Sequence, residues 1–427
     1  LWKAVNPPFS RSAPLSRSIE AEVVIVGAGI AGLSLGFHLA DRQIETVILE
    51  ASADPDAATA ASAGIVASLL PRSSPLAVMK RLGGEAGGRL LRMVAESGRY
   101  TFDLIRDQAI ECAAVQKGFM TPVFGARGAQ AQSRLVTEWT SIRDDLRLAD
   151  AEETFELSGC LNYASAIVDP TGGGLDPVAY AAGLAHAATV KGATIHCGEP
   201  ARSVTRAGGR WVVETASGQV SARTVILCAN GGNAELHPAL AHTILPLPVC
   251  EVATIPLADS IRRHILPHGH TMTDASTDIF SIRFDRSGRL ITACPVPGRL
   301  NVEDITRSIN DRLKTSIPAY REQPLDYIWQ GTAWLNSTLL PRVLLIDRGL
   351  MAVQACNGRG IALNTIIGRE LAAYLVSPET VMPQVPLEVP KPVAGFWMAR
   401  HLPRLIMAGP AFAKRVMQSL RLGPDAK

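Results

Sequence analysis

Val23-Val-Ile-Val26 is apolar without a break, Gly27-Ala-Gly29 interrupts it, a helical stretch runs on through Leu33, and Val47-Ile-Leu49 follows, closed by Glu50. Strand, glycine turn, helix, strand and acid in that order predict a βαβ unit. A helix is predicted across residues 76–110, where Leu90, Leu91, Val94, Tyr100, Leu104 and Ile105 form an apolar face, and another near residues 130–145. The turn-rich segment 168–177 ends in Asp176-Pro177, an N-cap and first-turn pair for a helix over 178–191 that Gly192 stops. Segments at 193–197, 203–205, 211–215, 219–221 and 224–231 then read as a strand, an antiparallel meander and a final buried strand. From about Pro246 the pattern alternates, at 249–255, 279–284 and 289–293, and predicts an antiparallel sheet. Residues 350–363 lead back to the first domain, and a helix follows to Leu375.

The organisation expected is α/β. A nucleotide-binding domain arrives in three pieces, 1–75, 161–245 and 336–380, with a mainly helical cap region at 76–160 and the antiparallel sheet at 246–335. A proline-rich linker and an amphipathic tail fill 381–427.

At 427 residues, 47% of them hydrophobic, the chain has room for two or three domains with a sizeable core. Basic and acidic residues are interspersed and the formal charge is only +3, so no basic stripe for nucleic acid is present. The seven cysteines lie far apart with no C-x-x-C pair, which suits a reducing, cytoplasmic setting better than disulfides or structural zinc. His264, His268 and His270 cluster, but Pro267 and Gly269 between them read as a surface loop, and no metal is expected. Pro7, Pro8 and Pro14 stand where a signal peptide would be apolar, and no run is long enough to span a membrane. The tail at 396–422 mixes basic and bulky apolar residues. Contact with a membrane surface or a partner, and packing back on its own domain, both remain open.

The first βαβ unit carries the chemistry. Gly27 permits the tight turn, Gly29 lets backbone approach a pyrophosphate, Ile30 and Ala31 open the helix, and Gly32 packs it close on the strand. Glu50 can accept hydrogen bonds from ribose hydroxyls and would repel a 2′-phosphate, so FAD or NAD is favoured over NADP. The small residues of 57–64 either pass beside a flat cofactor or line a tight loop, and the Ala229-Asn-Gly231 turn returns to the cofactor.

Several further points extend the pattern: Ile110-Glu-Cys112 with Lys117-Gly118, Thr171-Gly-Gly-Gly-Leu-Asp-Pro177, Ala253-Thr-Ile-Pro-Leu257, Arg289-Leu-Ile291, Trp329-Gln-Gly331 and Cys356-Asn-Gly-Arg-Gly360. From Trp2 to about Leu375 the chain resembles the FAD-dependent amine and amino-acid oxidoreductases that include D-amino-acid oxidase, glycine oxidase and sarcosine oxidase, and within them the gamma-glutamylputrescine oxidoreductase branch. The resemblance implies a Rossmann-like FAD-binding domain of glutathione-reductase type with an inserted antiparallel-sheet α+β substrate domain roofing the flavin. It implies that Gly27, Gly29, Gly32 and Glu50 hold the ADP part, with Ala51 beside the ribose and Ser62 and Ala63 along the pyrophosphate and flavin edge. Val204 would meet the adenine through its backbone. Asn357, Gly358, Gly360 and Ile361 would lie at the flavin's pyrimidine end, where backbone N–H groups favour the reduced anion.

The chain also departs from the branch. Gly174 and Asp176 stand where relatives carry histidines, Ser281 and Ile282 where they favour aromatics, and Ala293 and Cys294 where they often read Gly-Gly. These positions are expected to reshape the pocket. Sarcosine-oxidase-type relatives place a lysine over the flavin, and here no lysine occurs between Lys191 and Lys314, which points to a dehydrogenase or a slow oxidase.

The reaction implied is hydride transfer from the carbon bearing a neutral amine to flavin N5, giving an imine that water hydrolyses. The partners expected are a small amine or amino acid and O2 or another electron acceptor. Arg283 is either the bidentate partner of a substrate carboxylate or a solvent-facing arginine of a basic hairpin. Trp329 either walls the pocket or fills the core, and Arg359 either neutralises flavin or substrate or braces its turn. Two other functions stay open: a hydroxy-acid oxidation on this fold, and an FAD-containing subunit whose partner does the chemistry.

Overall fold

The computed structural model describes residues 1–6, 15, 18–52, 58–276, 279–294 and 301–403, and two sheets organise them. In the first, the central strand Ile19–Val26 lies parallel to Gln219–Leu227 on one side and Thr46–Glu50 on the other. Leu350–Gln354 and Thr194–Cys197 extend it in parallel, and Arg342–Asp347 turns back antiparallel beside Leu350–Gln354. A parallel strand is covered on both faces, which is why Val23-Val-Ile-Val26 is apolar throughout. Val23 and Ile25 face the helices, whereas Val24 and Val26 face a second core containing Trp211, Val213 and Val220. The helices on the first face are Ile30–Asp41, Gly84–Asp107, Pro177–Val190 and Gly360–Val376.

The second sheet runs in the order Leu325–Asn336, Ile244–Pro256, Arg289–Cys294, Ser281–Phe284, Thr271–Thr273, Phe119–Phe124, Tyr163–Asp169, Arg147–Ala149. Its outer face packs on the helix Val302–Ser316 through Ile305, Ile309 and Leu313, spaced to share one helix face. Its inner face roofs the first domain. Pro246 and Pro248 pair with Trp334 and Thr332 of Leu325–Asn336, and among the described residues the pairing of Ile244–Pro256 with Arg289–Cys294 begins at Cys250. Proline has no N–H, so at these two ladder positions the strand can accept a hydrogen bond but not donate one.

Two segments sit differently from the sequence expectation. The long helix Gly84–Asp107 belongs to the core of the nucleotide-binding domain, where Leu90, Leu91 and Val94 are fully buried, and not to a separate cap. Tyr163–Asp169 pairs with Phe119–Phe124 in the roof sheet and not with the first domain. Periodicity shows which residues are buried, but long-range strand pairing decides against what. The Phe396–Ala399 turn packs on His242, whose ring stacks on Phe396 at 4.2 Å, while Trp397 and Met398 stay exposed. The remainder of the tail expected to be amphipathic, 404–422, lies outside the described residues. Among the described residues no helix is long and apolar enough to cross a membrane.

Candidate cofactor and substrate site

Between the sheets lies a cavity of about 1230 Å³. Gly27, Gly29, Ile30, Ala31, Glu50 and Ala51 line one end, Ser62 and Ala63 the middle, and Asn357, Gly358, Arg359, Gly360 and Ile361 a further wall. Leu245, Leu247, Val249 and Glu251 face it from the roof, with Ser281, Ala293 and Cys294 beside them.

The glycines of the first turn have separable reasons. Gly27 has φ +109°, and a Cβ there would meet the Cys228 backbone at 2.8 Å; a Cβ on Gly32 would meet the Gly27 carbonyl oxygen at 2.0 Å. Those two serve the fold. A Cβ on Gly29 would meet no protein atom nearer than Thr59 Oγ1 at 3.8 Å, so what Gly29 makes room for is not the chain itself.

The helices Ile30–Asp41 and Gly360–Val376 both begin at this cavity with no side-chain cap. By contrast Asp176 Oδ1 caps the helix Pro177–Val190, accepting from the N–H groups of Val178 and Ala179 at 3.0 Å. Uncapped first-turn N–H groups and the positive end of the helix dipole favour an anion. Glu50 is held for its role by the backbone: Oε2 accepts from Ala28 N–H at 2.7 Å and Oε1 from Ser52 N–H at 3.0 Å. At the far wall Asn357, with φ 41°, accepts from Asn336 N–H through Oδ1 at 3.0 Å. Its Nδ2 is buried with no hydrogen-bond partner.

Residues 22–374 match the family model described as FAD dependent oxidoreductase (DAO). The chain belongs to that family. FAD is the cofactor of this family. The residues present fit it: two uncapped helix starts, a turn opened by Gly29 and an orphaned amide at Asn357 all border one cavity. Among relatives, this FAD dependent oxidoreductase is 25% identical to gamma-glutamylputrescine oxidoreductase of Escherichia coli over 84% of its own length and 85% of the relative's. Its fold matches the crystal structure of glycine oxidase from Geobacillus kaustophilus with TM-score 0.67 at 21% identity, covering 86% of this chain and 96% of that one. It also matches L-proline dehydrogenase from P. horikoshii with TM-score 0.72 at 16% identity, covering 86% and 96%. The Rossmann-like domain with its inserted antiparallel sheet is thus the fold of these flavoenzymes.

Other expected site residues fall elsewhere in this FAD dependent oxidoreductase. Arg283 is 4% exposed and lies outside the cavity lining, so it is neither solvent-facing nor placed to pair a substrate carboxylate. Its Nη1 donates to the carbonyls of Gly64 at 2.5 Å, Leu175 at 2.6 Å and Ala63 at 3.2 Å, and Trp2 covers its guanidinium. Burial pulls its pKa down to about 10. Trp329 is also off the lining: its indole donates to the Ala61 carbonyl at 3.2 Å and its ring meets Trp2 edge-on. Arg359 does line the cavity, but one N–H is committed to the Leu69 carbonyl at 3.1 Å and its guanidinium lies over Phe119. Burial lowers its pKa to about 10, so it stays a cation at neutral pH.

The Val204 side chain sits in the core behind the sheet, which leaves only its backbone for the expected contact, and Pro200, Ala201 and Arg202 from the loop ahead of its strand line the cavity. Gly32 and Gly231 pack against protein, Gly231 with its missing Cβ 2.2 Å from the Trp334 ring, whereas Ala229 lines the cavity. Of the departures from the branch, Ser281, Ala293 and Cys294 line the cavity; Gly174, Asp176 and Ile282 do not. Among the described residues no group of three or more His, Cys, Asp or Glu could hold a metal.

Glu251 escaped the sequence reading. It shares strand parity with Leu245, Leu247 and Val249, so a period of two along the strand places one acid in an apolar row.

Proposed function

We propose that the chain oxidises a C–N bond of a small primary or secondary amine or amino acid. The observation that supports this reading is one continuous cavity, from the Gly27–Glu50 end past the Asn357–Ile361 wall to the roof sheet. When bound, FAD supplies at flavin N5 the acceptor for the hydride that leaves the amine-bearing carbon, and water hydrolyses the resulting imine.

The chain's own contribution is binding, orientation and exclusion of water. The uncapped start of Ile30–Asp41 suits the pyrophosphate, Glu50 the ribose hydroxyls, and the edge at 200–202 the adenine. The start of Gly360–Val376 presents N–H groups where the flavin's pyrimidine end would lie, and Asn357 Nδ2 awaits an acceptor there. Leu245, Leu247 and Val249 give the roof an apolar surface against an aliphatic substrate. The absence of any lysine between Lys191 and Lys314 favours a dehydrogenase or a slow oxidase.

An anaerobic absorbance titration of the purified protein with amines, N-methyl amino acids and gamma-glutamyl amines tests the reading. Bleaching of a flavin spectrum by one of these compounds is expected, with slow recovery on admitting air. A flavin spectrum that none of them bleaches would overturn it.

A further inference from the structure

The roof strand Ile244–Pro256 turns alternate side chains toward the cavity, and after Leu245, Leu247 and Val249 comes Glu251. A carboxyl in an apolar row is costly unless it is paired. Its neighbours across the sheet are Ala293, which has no polar side-chain atom, and Trp329, whose indole N–H is donated to the Ala61 carbonyl, and Oε2 is buried with no hydrogen-bond partner. The other acids of the lining differ. Asp274 accepts from the Ser276 hydroxyl and the Phe280 N–H, Glu50 from two backbone N–H groups, and Glu235 is exposed. The titratable groups that act on Glu251 most directly are Cys250 on its own strand and Cys294 on the next, and the other charged groups of the cavity lining are Asp274, Arg359, Arg72, Arg202, Glu50 and Glu235.

We propose that Glu251 receives the substrate's amine: its carboxylate pairs with the ammonium and takes the proton that must leave before the C–N bond is oxidised. This assignment rests on the amine-oxidising reading above. In the step one N–H bond of the ammonium breaks and one O–H bond of Glu251 forms, the electron pair stays on nitrogen, and both charges vanish. Burial, with a smaller contribution from Cys250, raises the Glu251 pKa to about 8, near the range where a proton acceptor for an ammonium is effective. The apolar row beside it selects an amine on an aliphatic carbon and leaves the carboxylate to fix which carbon is presented.

The test compares the FAD-loaded wild type with Glu251→Gln and Glu251→Asp. Tert-butylamine, which has no hydrogen on its amine-bearing carbon and is not oxidised, serves as the calorimetric probe. Wild type is expected to bind it more tightly as pH rises through 8. Glu251→Gln is expected to bind at least about tenfold more weakly at pH 9, without that pH dependence. With an oxidisable amine, kcat/KM of Glu251→Gln is expected to fall about 10²-fold at pH 7.5, and its lower pH limb to move up to the pKa of the free amine. Glu251→Asp should recover part of both, and equal flavin content with cooperative urea unfolding in the variants confirms that they fold. If wild type and Glu251→Gln oxidise and bind the amines alike, the assignment is overturned and the functional reading stands. If wild type neither binds nor oxidises any amine, both fall.

Discussion

On the floor of the cavity the groups presented are main-chain N–H groups, from the Gly27–Ala31 turn and two uncapped helix starts, with Glu50 held in place by two more. On the roof they are side chains: Leu245, Leu247, Val249 and Glu251 from one strand, Ser281 and Ala293 from its neighbours. A backbone surface changes only if the fold changes, whereas a row of side chains can be rewritten one residue at a time. On the function proposed above, the floor would hold the cofactor and the roof would meet the substrate.

The sharpest way to divide the floor further is to substitute its glycines. Gly32→Ala drives a Cβ onto a main-chain oxygen at 2.0 Å and is expected to destabilise the protein by about 3 kcal/mol or more, read as a lower urea midpoint. Gly29→Ala is expected to leave that midpoint of the apoprotein within about 1 kcal/mol while cutting FAD content, measured by absorbance. Equal unfolding in both would erase the distinction between a fold glycine and a ligand glycine.

Arg283 tests whether every side chain on the inner roof addresses the substrate. Arg283→Met strands the buried carbonyls of Gly64 and Leu175, and a loss of about 3 kcal/mol in stability is expected with KM little changed. A raised KM at unchanged stability would instead restore it as a substrate ligand.

The two walls should also respond to pH in opposite directions. Burial, then Arg42 and Arg369, lowers His38 on the floor helix from 6.5 to about 3. Below pH 6.5 the unfolded chain takes up a proton that the folded chain refuses. Stability is therefore lost as pH falls toward 3, by about 1.4 kcal/mol per unit, and His38→Gln should flatten this slope in urea melts. Glu251, raised from 4.5 to about 8, contributes stability that is fully present below 4.5 and lost as pH rises through 8, and Glu251→Gln should flatten that limb. The smallest effect is expected at Trp329→Phe, which loses the hydrogen bond to Ala61 and part of the ring contact with Trp2, about 1–2 kcal/mol in urea melts.

How much could be read in advance follows the same division. Gly27, Gly29, Gly32 and Glu50 were legible because a backbone site leaves its trace in residues that only one backbone conformation or spacing requires. Arg283 was not, because its acceptors lie 219 and 108 positions away along the chain and no local pattern brings them near. Pro200, Ala201 and Arg202 were not read as cavity residues, since a loop without a glycine motif or a periodic pattern leaves no local trace of what it faces. Glu251 was within reach: counting every second residue back through Val249 and Leu247 puts it on the wet side of the strand.

Pro246 and Pro248 lie in the longest roof strand, between the residues that reach the cavity. Each lacks an N–H, so the stretch that carries Leu245, Leu247 and Val249 has two fewer main-chain donors to hold its place than the stretch that carries Glu251. The apolar end of the roof is thereby the looser end of the ladder, and the acid is carried on the tighter one.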